Sequence, residues 1–344
     1  MRQTVNQPFI SITLVCYNYA HLLHRALDAI GRQTFRDFEV IFVDNGSTDD
    51  SMAVARAFFD AHPDVDATLI RNDDADHSNA FGENLAASRA RGEYLMFHDA
   101  DDWMDDDCLE KLAAEARRSD ADRVVCAFRD VDDSGRVTQV QAIGAVRSKW
   151  YFGMQQGNLF RRSLYEEKGL RTLDSVFLDA IKTFAFNVWA EKVGFVEEPC
   201  YNYLVHTDST SRNKQLHIGM WDTPRKSFAV ILDALCETYA LCPEAEKPLA
   251  QRQIMKLYYS YIYQFLRVAP LKETLASYDR LRAMMEAKQP GYRKNPYVTL
   301  SARSGNRFYA RLVLWGSVTC ERLRLMKPAL CVYHAVSKLF YIPV

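Results

Sequence analysis

The stretch Tyr94-Leu95-Met96-Phe97-His98-Asp99-Ala100-Asp101-Asp102-Trp103 decides how this chain is read. Four apolar residues run straight into a carboxylate triplet. An apolar run without polar alternation reads as a strand buried on both faces. Its carboxyl end then carries Asp99, Asp101 and Asp102. In open α/β sheets, ligands bind in the crevice outside the carboxyl ends of the strands. Three acids this close repel one another unless a cation lies among them. A hard divalent ion, Mg2+ or Mn2+, takes oxygen ligands and leaves positions open for phosphate oxygens. The plainer reading is an acidic turn capping the next helix, since Asp105, Asp106 and Asp107 follow directly.

Working outward, Phe9 to Cys16 is another unbroken apolar and β-branched run. Asn18 is a candidate cap for a helix whose apolar stripe is Leu22, Leu23, Ala26, Leu27 and Ile30. A second buried strand, Phe38 to Val43, ends in Asp44-Asn45-Gly46-Ser47-Thr48-Asp49. Ala67 to Arg71 is a short third strand; Ser78 then caps a helix over Asn79 to Arg91, with Gly92 at its C-cap place. Alternating strand and helix is the pattern of a doubly wound α/β sheet. Asp44 falls at the tip of the second strand. Two roles fit it equally, acceptor for a ribose hydroxyl or base N–H, and acceptor for the amides of its own turn. Neither GxGxxG nor GxxxxGK[ST] occurs after the first strand, so a bound nucleotide would lack a glycine cradle and its phosphates would need a metal.

Composition sets the outer limits. With 344 residues, 48% hydrophobic and 25% charged, the chain is long enough for one large or two ordinary domains. A net charge of -1 provides no field toward nucleic acid. Residues 292–344 differ from the rest: nine Lys/Arg stand against the single acid Glu321. Such a basic tail points to an anionic partner, a membrane surface or another subunit. The eight cysteines include no CxxC pair, and several lie in apolar runs, which reads as free thiols in a reducing compartment. The N-terminus lacks a signal-peptide core, and no stretch reaches the ~20 apolar residues that span a bilayer. A cytoplasmic protein, peripheral at the inner face of the membrane if membrane-bound at all, is expected.

Taken together, Tyr17-Asn18-Tyr19 after the first strand, Gln33-Thr34-Phe35, the Val43-to-Asp49 turn, Gly92-Glu93-Tyr94 and the 99–102 acids closely resemble glycosyltransferase family 2. Those are inverting enzymes of the GT-A fold. The matches cover about the first hundred residues in order. A looser match runs from Gly157-Asn158 through Gly169 to Tyr201-Asn202-Tyr203, closing with His206 and Ser209 to Arg212. The resemblance implies a GT-A, Rossmann-like, mostly parallel sheet flanked by helices over 1–212, with a mainly helical region over 213–344. It implies a nucleotide-sugar donor lying across Cys16, Tyr17, Asn18, Asp44, Asp99, Ala100 and Asp101. It implies Mn2+ or Mg2+ held by Asp101 and Asp99, with His206 at the diphosphate or metal or else simply packed. The base usually lies in a Glu-Asp pair that here reads Leu178-Asp179, which nominates Asp179, with Asp174 in reserve. The plainer role for Asp179 is to cap the helix that follows.

Two departures stand out. The family's Ala-Arg-Asn reads Gly82-Glu83-Asn84 here, and Leu204 replaces an Arg. Phosphate affinity then comes from elsewhere, with Arg161 and Arg212 as candidates, or is weaker. The chemistry implied is metal-dependent transfer from a UDP-sugar to a hydroxyl of a growing or lipid-linked glycan, in bacterial surface polysaccharide assembly. One metal cluster and one separate base suffice for a single inverting displacement. Two rivals remain, a catalytically silent nucleotide-sugar-binding scaffold and a nucleotidyltransferase; Leu14 to Asn18 lacks the basic triphosphate loop of the latter.

Beyond residue 212, helices are expected over Trp221–Tyr239, Pro248–Val268 and Glu273–Lys288. The aromatic face Tyr258, Tyr259, Tyr261, Tyr263 and Phe265 reads as core or a subunit contact rather than a sugar platform. The last segment interleaves Arg307, Arg311, Arg322, Arg324 and Lys327 with Leu312, Trp315, Leu323 and Leu325. That pattern suits a membrane interface or a basic cap packed on the protein.

Overall fold

Strands β1 (Ile10–Cys16), β2 (Phe38–Asp44), β3 (Asp66–Arg71) and β4 (Tyr94–Asp99) are parallel and lie in the order β3-β2-β1-β4. The computed structural model describes residues 7–74, 76, 78–144, 147–151, 154–175, 177–206, 228–265, 269–301 and 307–339. Helices α1 (Ala20–Gly31), α2 (Ser51–Ala61) and α3 (Asn79–Arg89) make the crossovers. The apolar runs are continuous because both faces are covered. Ile12, Leu14, Val40, Phe42 and Met96 join the core beneath α1, while Ile41, Val43, Leu95 and Phe97 join a second core with Ala86 and Ala87 of α3. The sequence is thus built for two apolar layers around one sheet.

Past β4 the sheet turns mixed. The two-residue β5 (Trp103–Met104) is followed by α4 (Cys108–Ser119), β6 (Arg123–Asp132) and β7 (Val137–Gln141). Then come β8 (Leu159–Arg161), α5 (Arg162–Glu167), α6 (Leu178–Trp189) and the long β9 (Val193–Val205). β8 lies antiparallel between β4 and β6, β6 runs parallel to β9, and β9 pairs antiparallel with β5. This last pairing fixes the position of the acids. β9 joins Trp103 and Met104, directly after the triplet, to Asn202 and Tyr201.

The chain forms two compact units. One comprises Met1–Ile143, Met154–Asp174 and Leu178–His206; the other comprises Gly144–Gly153, Ser175–Phe177 and Thr207–Val344. The expected division at 212/213, the Ser209–Arg212 ending and the starting residue Trp221 lie outside the described residues. The second unit is helical: α7 (Phe228–Ala240), α8 (Lys247–Phe265), α9 (Leu271–Lys288), α10 (Phe308–Arg322) and α11 (Met326–Leu339). Tyr258, Tyr259 and Tyr261 are buried, as the core reading of that aromatic face requires. None of the described helices is long and apolar enough to cross a membrane.

Two local expectations fail. Asn18 does not cap α1. Tyr19 holds that position without a side-chain cap bond, and Asn18 stands at φ 57°, a left-handed conformation that asparagine tolerates. Its Oδ1 instead accepts from the Thr48 amide at 2.8 Å, and its own amide donates to Ser47 Oγ at 2.9 Å. The first two strand-to-helix turns are thereby tied together. Gly92 is no C-cap either; α3 ends at Arg89 with Ala90 extended. Gly92 is needed for closeness, because a Cβ there would lie 2.6 Å from the Ser11 amide nitrogen. Ser78 does cap α3, accepting from the Phe81 amide at 3.2 Å.

The Gly92 contact gives a test of the packing. Gly92→Ala forces backbone apart between β1 and the start of β4 and should cost about 1–3 kcal/mol, the usual range for overpacking. The measurement is the guanidinium midpoint at constant m-value. An unchanged midpoint would show that the β1 edge yields freely.

Candidate active site

The parallel register builds the site. Cys16 at the end of β1 lies beside Asp44 of β2, and Val15 lies beside Asp99 of β4. The carboxyl ends of three strands therefore bring Asp44 and Asp99 to either side of the β1 terminus, where the sheet rule places a ligand.

Each acid there has a different partner. Asp102 is fully buried; Tyr201 donates its hydroxyl to Oδ2 at 2.9 Å and the Leu204 amide donates to Oδ1 at 2.8 Å. Burial, with Asp101 and Asp99 nearby, holds its carboxyl well above the usual range. Asp102 is therefore a fastener for β9, and the metal-binding possibility narrows to the other two acids. Asp101 Oδ2 meets His206 Nε2 at 3.0 Å, and His206 is buried with its ring edge-on to Tyr19. Asp99 Oδ2 accepts from Gln156 Nε2 at 2.9 Å. Burial and the neighbouring carboxylates of Asp179 and Asp101 push the Asp99 carboxyl well up.

Asp179, in the first turn of α6, arrives at this cluster through the same amide. Gln156 Nε2 also donates to Asp179 Oδ2, at 3.1 Å. Burial and the nearby Glu83 carboxylate raise Asp179 to about 6, with the Lys182 ammonium opposing them. Gln156 itself is buried, and its Oε1 has no hydrogen-bond partner among the described residues. The reserve residue Asp174 is partly exposed and belongs to the same unit.

The remaining residues named as candidates for donor binding divide clearly. Asp44 is fully buried; Oδ1 accepts from the Ser47 amide at 2.9 Å, realising the turn role, and Oδ2 accepts from Arg71 Nη1 at 3.0 Å. Cys16 is buried, its carbonyl accepts from the Asn45 amide at 2.8 Å, and burial pushes its thiol to about 11. Tyr17 is the exposed member of that group, and Ala100 is buried.

Glu83 is taken up by partners within the protein. It is buried and accepts from Lys182 Nζ at 2.5 Å, Thr172 Oγ1 at 2.7 Å and Gln155 Nε2 at 3.1 Å. Lys182 in turn lies 3.4 Å from the centroid of the Phe97 ring. The charge at position 83 is thus answered by a cation one helical turn after Asp179. Arg161 is a correction. It pairs with Glu93 and Asp120 at the opposite end of the strands, where β8 meets Tyr94 at the start of β4. Arg212 lies outside the described residues.

Sequence reasoning missed Gln156, Lys182, Arg71 and Arg25. Arg25 of α1 stacks 3.9 Å over the Trp103 ring and donates from Nη2 to the Asp101 carbonyl at 3.2 Å. A lone Gln, Lys or Arg carries no motif. Only Arg25, spaced at helical intervals among apolar residues, left a trace.

A divalent cation fits this set in part. Among the described residues no three His, Cys, Asp or Glu side chains already form a complete metal cage. The touching pair Asp101 and His206, with Asp99 beside them, supplies oxygen and nitrogen donors of the right kind. Cations that sit on nucleotide phosphates take only one or two carboxylates from the protein.

This combination of a parallel nucleotide-type half, an antiparallel extension and acids at the end of β4 is the GT-A architecture. The sequence profile of glycosyl transferase family 2 matches residues 11–186. The chain belongs to that family. It is 26% identical over 231 residues to EpsH of Bacillus subtilis (strain 168), covering 60% of this chain and 64% of that protein, so it spans just under two thirds of this relative's length. S. aureus TarS 1-349 in complex with UDP-GlcNAc superposes with a TM-score of 0.53 at 15% identity, over 92% of both chains. The mannosyltransferase PcManGT of Pyrobaculum calidifontis, in complex with GDP-Man and Mn2+, superposes at 0.52 and 20% identity, over 98% of this chain and 89% of that one.

The Glu83–Lys182 pair can be tested through stability alone. Glu83→Gln leaves a buried ammonium without its carboxylate and should cost about 3–5 kcal/mol, whereas Glu83→Gln with Lys182→Met should recover most of that loss. Thermal melts of the two variants decide it. Equal melting temperatures would mean that the pair does not interact as drawn.

Proposed function

We propose that the chain is an inverting glycosyltransferase that moves a sugar from a nucleotide-diphosphate sugar, a UDP-sugar, to a hydroxyl of a growing glycan. The observation that carries the reading is the shared amide of Gln156, which holds the candidate base Asp179 against Asp99 at the donor end of β4. Support for the donor class comes from the fold likeness to TarS bound to UDP-GlcNAc, and for a metal from the likeness to a mannosyltransferase bound to GDP-Man and Mn2+. Family membership supports the reaction class. Bacterial surface polysaccharide assembly, on the cytoplasmic side where nucleotide sugars are made, is the setting proposed.

In this reading Asp44 and the β1 terminus receive the nucleoside. Arg71, already on Asp44 and half-exposed, stands at the rim of that pocket. Asp99 and Asp101 face the diphosphate with His206. Mn2+ or Mg2+, held by Asp101 with His206 and Asp99, would supply charge stabilisation to the departing nucleotide. Asp179 accepts the proton of the attacking hydroxyl. Burial helps here, because a carboxylate raised to about 6 is a stronger base than an ordinary one yet still ionised at neutral pH. Attack from the face opposite the leaving nucleotide inverts the anomeric carbon in one displacement, so no protein nucleophile is required.

A panel of nucleotide sugars, assayed for nucleotide release with Mn2+, with Mg2+ and with EDTA, tests the reading. One donor should be turned over with metal only. Asp101→Ala and Asp179→Asn should each lose about 10²–10⁴-fold, the usual worth of a positioned acid or base. Tight donor binding with no turnover in the presence of any glycan acceptor would leave a silent binding subunit instead.

The pH profile gives a separate check. A base must be deprotonated to act, so log kcat/KM should rise with pH and level off above about 6, where Asp179 loses its proton. The residual activity of Asp179→Asn should lack that limb. If it persists there, the limb belongs to another group.

A further inference from the structure

Helix α10 carries apolar residues on both its inner and its outer face. Its buried positions are Leu314, Ser317, Val318 and Glu321, while Phe308, Leu312 and Trp315 are exposed, followed by Leu323 and Leu325 just beyond its end. Positions 308, 312 and 315 are spaced by four and three, so they share one outward face. The exposed fractions are large for such residues, 58% for Phe308, 38% for Trp315 and 62% for Leu323.

The orientation is held by polar bonds on the inner face. The Tyr258 and Tyr278 hydroxyls donate to Glu321 Oε1 at 3.2 Å each, the Tyr292 hydroxyl donates to Oε2, and Arg293 Nε donates to Oε2 at 3.2 Å. Ser317 Oγ and the Tyr263 hydroxyl lie 2.8 Å apart. Turning the helix to bury Trp315 would draw the Glu321 carboxylate out of three tyrosine hydroxyls and a guanidinium, a heavy loss for a buried charge. The apolar stripe therefore faces outward by constraint.

The segment's own charge is nearly all of one sign, and Lys327 and Arg293 are the cations that meet acids of α9, Asp279 and Glu286. Glu321 is the single acid of residues 292–344 against nine Lys/Arg, and its side chain is only 1% exposed. The surface of this segment thus presents cations without a carboxylate of its own. Arg322 and Arg324 are exposed beside Leu323 and Leu325, and Arg322 donates to the Arg293 carbonyl, with no carboxylate paired to it among the described residues. Arg324 stands at φ 62° in the turn before α11.

We infer that the outward face of α10 and the Leu323–Leu325 turn form a docking surface for an anionic lipid bilayer. Aromatic and aliphatic side chains enter the headgroup boundary and the flanking arginines meet anionic headgroups, as interfacial helices do. A second copy of the chain would meet this same patch with like charges facing one another across a two-fold axis, which disfavours self-association through it. The inference is independent of the proposed chemistry.

The test uses the full chain and sedimentation with vesicles of phosphatidylcholine alone or of equal parts phosphatidylcholine and phosphatidylglycerol. Binding to the anionic vesicles should exceed binding to the neutral ones by at least about tenfold and fall with salt. Phe308→Ser/Leu312→Ser/Trp315→Ser should lose it at unchanged circular dichroism and melting temperature, and Arg322→Gln/Arg324→Gln should weaken it separately. Equal binding to both vesicle types overturns the inference, as does anionic binding that both variants retain. Absence of vesicle binding, with a dimer by light scattering that the apolar variant dissolves, would assign the face to subunit contact instead.

Discussion

Crowded carboxylates at the end of β4 are the constraint on which the catalytic half depends. Asp99, Asp101 and Asp102 are held by neighbouring backbone positions, so their repulsion cannot relax by moving apart. Burial makes it worse, since a charge removed from water must find donors nearby. The structure answers each acid from a different part of the chain. Asp102 takes a tyrosine hydroxyl and an amide from β9, Asp101 takes His206 just past β9, and Asp99 takes an amide from the segment before β8. These three answers bring the distant second half of the unit onto the nucleotide-type half. The antiparallel strands are where they are partly because the acids need them.

A second layer follows from the same logic. Glu83 and Lys182 are both buried and each supplies the other's counter-charge. Their pairing lies close enough to Asp179 for both to act on it, in opposite directions, with the acid outweighing the cation. A glutamate where relatives carry arginine looks, in sequence, like a ligand deleted from a phosphate site. In three dimensions it is one half of an ion pair whose other half is on α6.

What could be read from the sequence was whatever depends on neighbours in the chain. The four parallel strands were legible because burial on both faces leaves no polar alternation, and the acids because they follow such a strand without a break. Placement of Asp44 and Asp99 beside the β1 terminus required only strand order and direction. The failures share one cause. Asn18 and Gly92 have ordinary local roles, cap and C-cap, which in fact yield to tertiary ones, a tie to the neighbouring turn and a close approach to Ser11. Arg161 looked suitable because arginine binds phosphate, but β8 runs antiparallel and carries it to the wrong end of the sheet. Gln156 could not be found at all, because an amide gains its meaning only from the two acids it reaches, which lie 57 and 23 residues away.

The C-terminal unit shows the same limit from the opposite direction. Hydrophobic periodicity assigns the apolar stripe of a helix to the core, and for most helices burial of that stripe is what holds them in place. α10 is held by buried Leu314 and Val318 and by polar bonds together. One carboxylate collecting three tyrosine hydroxyls and a guanidinium helps to orient the helix, beside the buried Leu314 and Val318. The tyrosines of α8 that read as packing residues therefore have a second task, since Tyr258 and Tyr263 present hydroxyls to the inner face of α10. Once the inner face is fixed in this way, the outer face is released from packing duty, and its Phe, Leu and Trp become available for a surface outside the protein.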